Sequence, residues 1–193
     1  MKKHTFSLPN ILTYARIVAV PLVVLCFFAE GNLKSSDPVR WIAVIIFIIA
    51  SITDFLDGYL ARIWKQTSNI GRMLDPIADK LLVSACLLLL TADRTISSWS
   101  LWAAIIILCR EILVSGLREY LAELKVGVPV SRLAKWKTAA QMIAIIFLLA
   151  GPAADKIFGY TSLIGLTLLW VASILTLITG WDYFRNGLKH VID

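Results

Sequence analysis

Residues 39–79 read VRWIAVIIFIIASITDFLDGYLARIWKQTSNIGRMLDPIAD. An apolar run that carries only Arg40 up to Thr53 is followed by Asp54, Asp57, Asp75 and Asp79. A segment fit for a bilayer core thus leads straight into four closely spaced carboxylates. The first half of that pattern recurs along the chain, and the second half does not.

Working outward, the apolar runs predict six membrane-crossing helices: Leu8–Phe28, Val39–Tyr59, Asp75–Leu90, Leu101–Leu121, Leu133–Leu149 and Leu163–Phe184. Each is close to the roughly 20 residues that a bilayer crossing needs. The whole composition agrees: 59% of the 193 residues are hydrophobic, 17% are charged, and the mean hydropathy is +0.78. The expected fold is an all-α integral membrane protein, a six-transmembrane-helix bundle, with residues 1–193 forming a single domain. Most loops are short, and no repeat or low-complexity tract divides the chain.

The net charge of +6 resembles a nucleic-acid signal until the charges are placed. Lys2 and Lys3, then Arg62, Lys65, Arg72 and Lys80, then Arg118, Lys125, Arg132, Lys135 and Lys137, and finally Arg185 and Lys189 all fall on one side of the six spans. The other three loops are nearly neutral, with Arg40, Asp93, Arg94, Asp155 and Lys156 among their few charges. The positive-inside rule then puts both termini in the cytoplasm, with the carboxylates facing it from the cytoplasmic (inner) membrane, and leaves no need for a nucleic-acid partner. Pro9, Asn10 and Arg16 interrupt the first run, and no small-x-small pattern precedes Glu30, so a cleaved leader is not expected. Trp99 and Trp102, and Trp181 with Tyr183, suit the headgroup belts. Cys26, Cys86 and Cys109 lie in apolar runs and read as packing residues.

Asp54 and Asp57 are spaced i,i+3, and Asp75 and Asp79 i,i+4, so each pair shares a helix face. Two adjacent antiparallel helices would point all four into one space. Gly58, Ala61 and Gly71 leave room there for a ligand or a close helix. Four carboxylates together demand neutralisation, and two divalent cations would supply it. Oxygen-only ligation favours Mg²⁺ or Mn²⁺ over Zn²⁺. A pair of such ions suits a phosphate or pyrophosphate undergoing in-line displacement, and Arg62 could hold a phosphate oxygen. The plainer alternative is that these aspartates cap helix ends, as Asp75 before Pro76 could; it does not account for all four at matched spacings.

The string D-x2-D-G-x2-A-R-x8-G-x3-D-x3-D resembles the motif of the CDP-alcohol phosphotransferases and matches it at Asp54, Asp57, Gly58, Ala61, Arg62, Gly71, Asp75 and Asp79. The resemblance covers the whole chain in its six-span pattern. It implies transfer of a substituted phosphate from a CDP-linked donor to an alcohol, with CMP released. It further implies that Asp54, Asp57, Asp75 and Asp79 bind metal. On the donor side it implies Asp57, Gly58, Ala61, Arg62, Gly71 and Asp75, with Asp79 also the general base and the protein a homodimer.

The alcohol is read from elsewhere. Arg110 and Glu111 lie deep in an apolar span, where ionisable residues are costly and are either paired or functional. With Arg118, Lys135 and Lys137 they suggest a pocket for an anionic acceptor, although helix pairing and ordinary edge charge would also accommodate them. Spacing alone does not choose between Lys135 and Lys137. Arg110–Leu121, the Val128-Pro-Val stretch, Ala134–Thr138 and Leu8–Thr13 with Arg16 and Pro21 resemble the phosphatidylglycerophosphate-forming branch. That branch implies CDP-diacylglycerol as donor and glycerol 3-phosphate as acceptor, with Arg110, Arg118, Lys135 and Lys137 holding the acceptor phosphate. The competing acceptors are inositol phosphate, serine and phosphatidylglycerol. A divalent-cation transporter is a more distant reading, since the aspartates sit near a membrane edge and no internal repeat is visible.

Overall fold

The computed structural model describes residues 8–28, 36–64, 69–124 and 132–188, with the backbone alone described at 8–9, 55, 57–64, 69–70, 72, 132 and 188. Six α-helices follow in order: α1 (Leu8–Phe28), α2 (Asp37–Trp64), α3 (Asn69–Ala92), α4 (Ser100–Glu123), α5 (Arg132–Phe158) and α6 (Thr161–Leu188). No strand occurs among the described residues. Among the described residues, four helices are long and apolar enough to cross a membrane on composition alone, within Asn10–Phe28, Ser100–Glu123, Leu133–Phe158 and Thr161–Gly187. The chain is therefore a multi-pass membrane protein. α2 and α3 match the others in length.

The six expected segments correspond to the six helices; α2 and α6 run a few residues past their expected ends, and two differences are larger. α3 begins at Asn69 and runs through Pro76, so Gly71, Asp75 and Asp79 lie on one helix. Asp75 is therefore not a helix cap; Pro76 removes one backbone donor, and the helix continues past that loss. α5 extends to Phe158 and carries a kink at Gly151 (φ 1°, ψ −98°), followed by Pro152.

That kink is held by a residue expected only as a loop charge. A proline deprives the carbonyl four residues earlier of its helical donor, here Leu148. Arg40 of α2, 4% exposed, donates from Nη1 to the Leu149 carbonyl at 3.1 Å and, more loosely, to the Leu148 carbonyl at 3.5 Å. Its Nη2 pairs with Asp93 and donates to Thr95 Oγ1 at 3.1 Å, and the guanidinium lies 5.6 Å from the Phe27 ring centroid. The connection after α3 reverses with Arg94 and Ser98 at positive φ, and Ile96 plugs the core there.

α1 packs against α2 and α3, while α5 packs against α6 and α2, and α6 against α4. Phe47, Leu82, Leu87, Ile107, Ile145 and Leu148 fill the centre. A Cβ at Gly165 would lie 2.9 Å from Leu148 side-chain atoms and 3.1 Å from its backbone nitrogen, so glycine sets the close α5–α6 approach. The outer faces carry Leu25, Ile45, Ile112 and Leu177 exposed, as a lipid-facing surface requires.

Candidate active site

At the end of the bundle where α1, α3 and α5 begin, five helices enclose a cavity of about 450 Å³. Its volume falls within the usual range for small-molecule sites. Five carboxylates (Asp54, Asp75, Asp79, Glu111, Asp182) and five cations (Lys80, Arg110, Arg118, Lys135, Lys137) line it. The charges balance in number but are unevenly placed. Asp54, Asp75 and Asp79 form a wall on α2 and α3, while four of the cations come from α4 and α5.

The acidic wall is braced from α1. Thr13 donates to Asp75, and Arg16 donates from Nη1 to Asp79 Oδ1 at 2.5 Å and pairs through Nη2 with Asp54 at 3.1 Å. Thr13 and Arg16 are spaced i,i+3 and their partners i,i+4, so two helices running in the same direction meet along matched faces. The Arg16 side chain is 1% exposed; a buried guanidinium is tolerable because carboxylates of two helices share it. Neither Thr13 nor Arg16 was expected at the site. The available signal was a charge inside an apolar run, which already marks a residue as paired or functional.

The basic wall is equally constrained. Arg110 donates from Nη2 to Thr179 Oγ1 of α6 at 3.1 Å and lies 3.5 Å from Glu111. Glu111 also accepts from Lys137, which is 5% exposed. Arg118 stacks over Tyr183, 5.7 Å from the ring centroid, and both line the cavity. A Cβ at Gly180 would sit 3.0 Å from Arg110 Cγ and 3.2 Å from Nε, so this glycine lets Arg110 lie across α6. Lys80, expected only as edge charge, lines the cavity and donates to Ser115 of α4. On α5, Ala134, Lys137 and Gln141 form one lining stripe and Lys135, Thr138 and Met142 the next. At about 100° per residue these cover one arc, with Lys137 and Lys135 at its two edges. Both lysines therefore reach the cavity, and no choice between them is needed.

The structure thus brings together Asp54, Asp75, Asp79, Arg110, Arg118, Lys135 and Lys137. Gly71 is buried on α3. Asp57, Gly58, Ala61 and Arg62 lie on the last turns of α2, where their side chains are outside the described residues. The donor set on the acidic wall is oxygen-only, which fits a hard cation in kind. Among the described residues, no three His, Cys, Asp or Glu side chains gather closely enough to chelate one ion. Asp54 and Asp79 instead share Arg16.

Residues 6–179 match the family described as CDP-alcohol phosphatidyltransferase. A protein of Rickettsia bellii is 46% identical over 184 residues, covering 95% of this chain and 97% of its own. One from Cereibacter sphaeroides is 40% identical over 221 residues, covering 97% and 98%. A third, from Haemophilus influenzae, is 39% identical over 190 residues, covering 97% of each. All three are named CDP-diacylglycerol–glycerol-3-phosphate 3-phosphatidyltransferase.

Proposed function

We propose that this chain, which belongs to the CDP-alcohol phosphatidyltransferase family, transfers the phosphatidyl group of CDP-diacylglycerol to glycerol 3-phosphate. The products are phosphatidylglycerophosphate and CMP. The observation that carries this reading is the two-walled cavity, with three aspartates of the family motif on one side and Arg110, Arg118, Lys135 and Lys137 on the other. The acidic wall serves the reaction common to the family. The basic wall calls for an acceptor that is itself a phosphate, and the names of the full-length relatives point to the same acceptor.

In this reading the four cations bind and orient the acceptor phosphate, which turns a free hydroxyl of the glycerol toward Asp79. That hydroxyl oxygen attacks the phosphorus bearing the diacylglycerol, the bond to the CMP oxygen breaks, and Asp79 receives the hydroxyl proton. No covalent enzyme intermediate is required. Arg16 holds Asp79 and Asp54 in register as a positioning residue. Asp57, Gly58, Ala61, Arg62, Gly71 and Asp75 are the donor-side residues by motif. Asp54, Asp57, Asp75 and Asp79 would hold two divalent cations, Mg²⁺ or Mn²⁺. When bound, these would neutralise phosphate charge and acidify the attacking hydroxyl.

The same reading gives residues 1–193 as one domain crossing the inner membrane six times, with both termini and the cavity mouth in the cytoplasm. What supports it is the charge asymmetry between loops, and the fact that α2 and α3 match their neighbours in length. The family resemblance is what supports a homodimer.

The test is incorporation of labelled glycerol 3-phosphate into chloroform-soluble lipid by the purified protein in liposomes containing CDP-diacylglycerol. Incorporation with matching CMP release is expected with Mg²⁺ or Mn²⁺, and its abolition by EDTA. Label from inositol phosphate or serine in place of glycerol 3-phosphate would overturn the acceptor, and transfer that persists in EDTA would overturn the metals.

A further inference from the structure

The cavity wall contains buried polar atoms that no other described residue satisfies. Arg110 Nε and Gln141 Oε1 are both enclosed without a hydrogen-bond partner. Arg110 Nε is a donor and suits the phosphate already assigned to that wall. Gln141 Oε1 is an acceptor, which a phosphate cannot serve. Gln141 is 4% exposed, yet it lines the cavity. Buried acceptors are nearly always satisfied, and an unsatisfied one on a residue that lines a cavity points to a group that enters the cavity.

The position of Gln141 narrows the choice. It stands one turn beyond Lys137, the lysine bonded to Glu111. The next residue, Met142, accepts through its sulfur from Ser51 Oγ at 3.8 Å, and Ser51 lies about one turn before Asp54 on α2. Gln141 thus lies on the lining arc of α5, one turn deeper in the bundle than Lys137. A ligand with its phosphate on the cations and its attacking oxygen at Asp79 has one further hydroxyl, on its middle carbon, to offer this amide.

We propose that Gln141 accepts a hydrogen bond from the non-reacting hydroxyl on the middle carbon of the acceptor, and so selects a vicinal-diol phosphate over a simple hydroxyalkyl phosphate. The proposal rests on the acceptor reading above and adds which atom of the acceptor is recognised. A site built to bond a substrate hydroxyl rejects an analogue that lacks it, because its own polar group is then left buried and unpaired. Met at this position keeps the length and removes the acceptor, which suits a bundle interior.

The experiment measures kcat/KM in CDP-diacylglycerol liposomes for glycerol 3-phosphate and for 3-hydroxypropyl phosphate, which lacks only the middle hydroxyl. Wild type is expected to prefer glycerol 3-phosphate by roughly 10- to 100-fold, the range set by one buried unsatisfied group. Gln141→Met is expected to lose that preference by falling on glycerol 3-phosphate alone. Gln141→Glu, which keeps an acceptor oxygen, is expected to retain it. Equal use of the two phosphates by wild type, a preference that survives Gln141→Met, or one lost in Gln141→Glu each overturns the proposal. Use of neither phosphate, with a different alcohol accepted, overturns the acceptor reading itself.

Discussion

Arg16 shows what a single residue contributes and what a motif search passes over. The D-x2-D-G-x2-A-R string made the aspartates legible, because carboxylates at helical spacing in a membrane protein are rare and costly. It said nothing of α1, where the counter-charge comes from. Arg16 reaches Asp54 and Asp79 together, and this depends on how three helices pack, which no spacing within one segment encodes. Deleting one partner of a buried ionic group costs about 3–5 kcal/mol, because it strands the remainder. Arg16→Leu is therefore expected to lower the thermal midpoint in detergent and to cut transfer by roughly 100-fold or more. Arg16→Lys, with one ammonium for two carboxylates, should recover only part of both. Thermal shift and labelled-acceptor incorporation check this together; a Leu variant with wild-type stability and turnover would remove Arg16 from the account.

At the scale of elements, the apolar runs located all six helices, since a bilayer crossing writes its length directly into hydropathy. Two features escaped. The sequence places the start of α3 six residues late, because Asp75–Pro76 imitates a helix start and the preceding turn is polar. The α5 kink has no counterpart in the apolar pattern. Gly151 and Pro152 signal a break, but the side chain that caps the freed carbonyls, Arg40, comes from a helix more than a hundred residues earlier. Packing also decides the α4–α6 contact, where Gly180 admits Arg110. Gly180→Ala is expected to push the guanidinium away from Thr179, raising the acceptor KM several-fold with little change for the donor, on the scale of one hydrogen bond. Steady-state kinetics with each substrate varied separately checks it. A changed donor KM with an unaltered acceptor KM would place Arg110 elsewhere.

For the molecule as a whole, the arrangement that matters is segregation: acids on α2 and α3 meet bases on α4 and α5 across one cavity. Each wall was legible separately, the first from its motif and the second from ionisable residues inside or beside an apolar span. Their meeting in one space was not, nor was the lining contributed by Gln141, Tyr183 and Asp182, because the order of helices around a bundle is set by three-dimensional packing. Segregation predicts that the two substrates can be weakened independently. Arg118 tests this most cleanly, being exposed and stacked on Tyr183 of α6, away from the aspartates of the acidic wall. The decisive measurement is the pair of Michaelis constants for Arg118→Ala. The account predicts an acceptor KM raised roughly tenfold, as loss of one charge-assisted contact gives, with the donor KM within about twofold of wild type, inside the scatter of a surface change. An unchanged acceptor KM, or a donor KM that rises in step with it, would contradict the two-walled site.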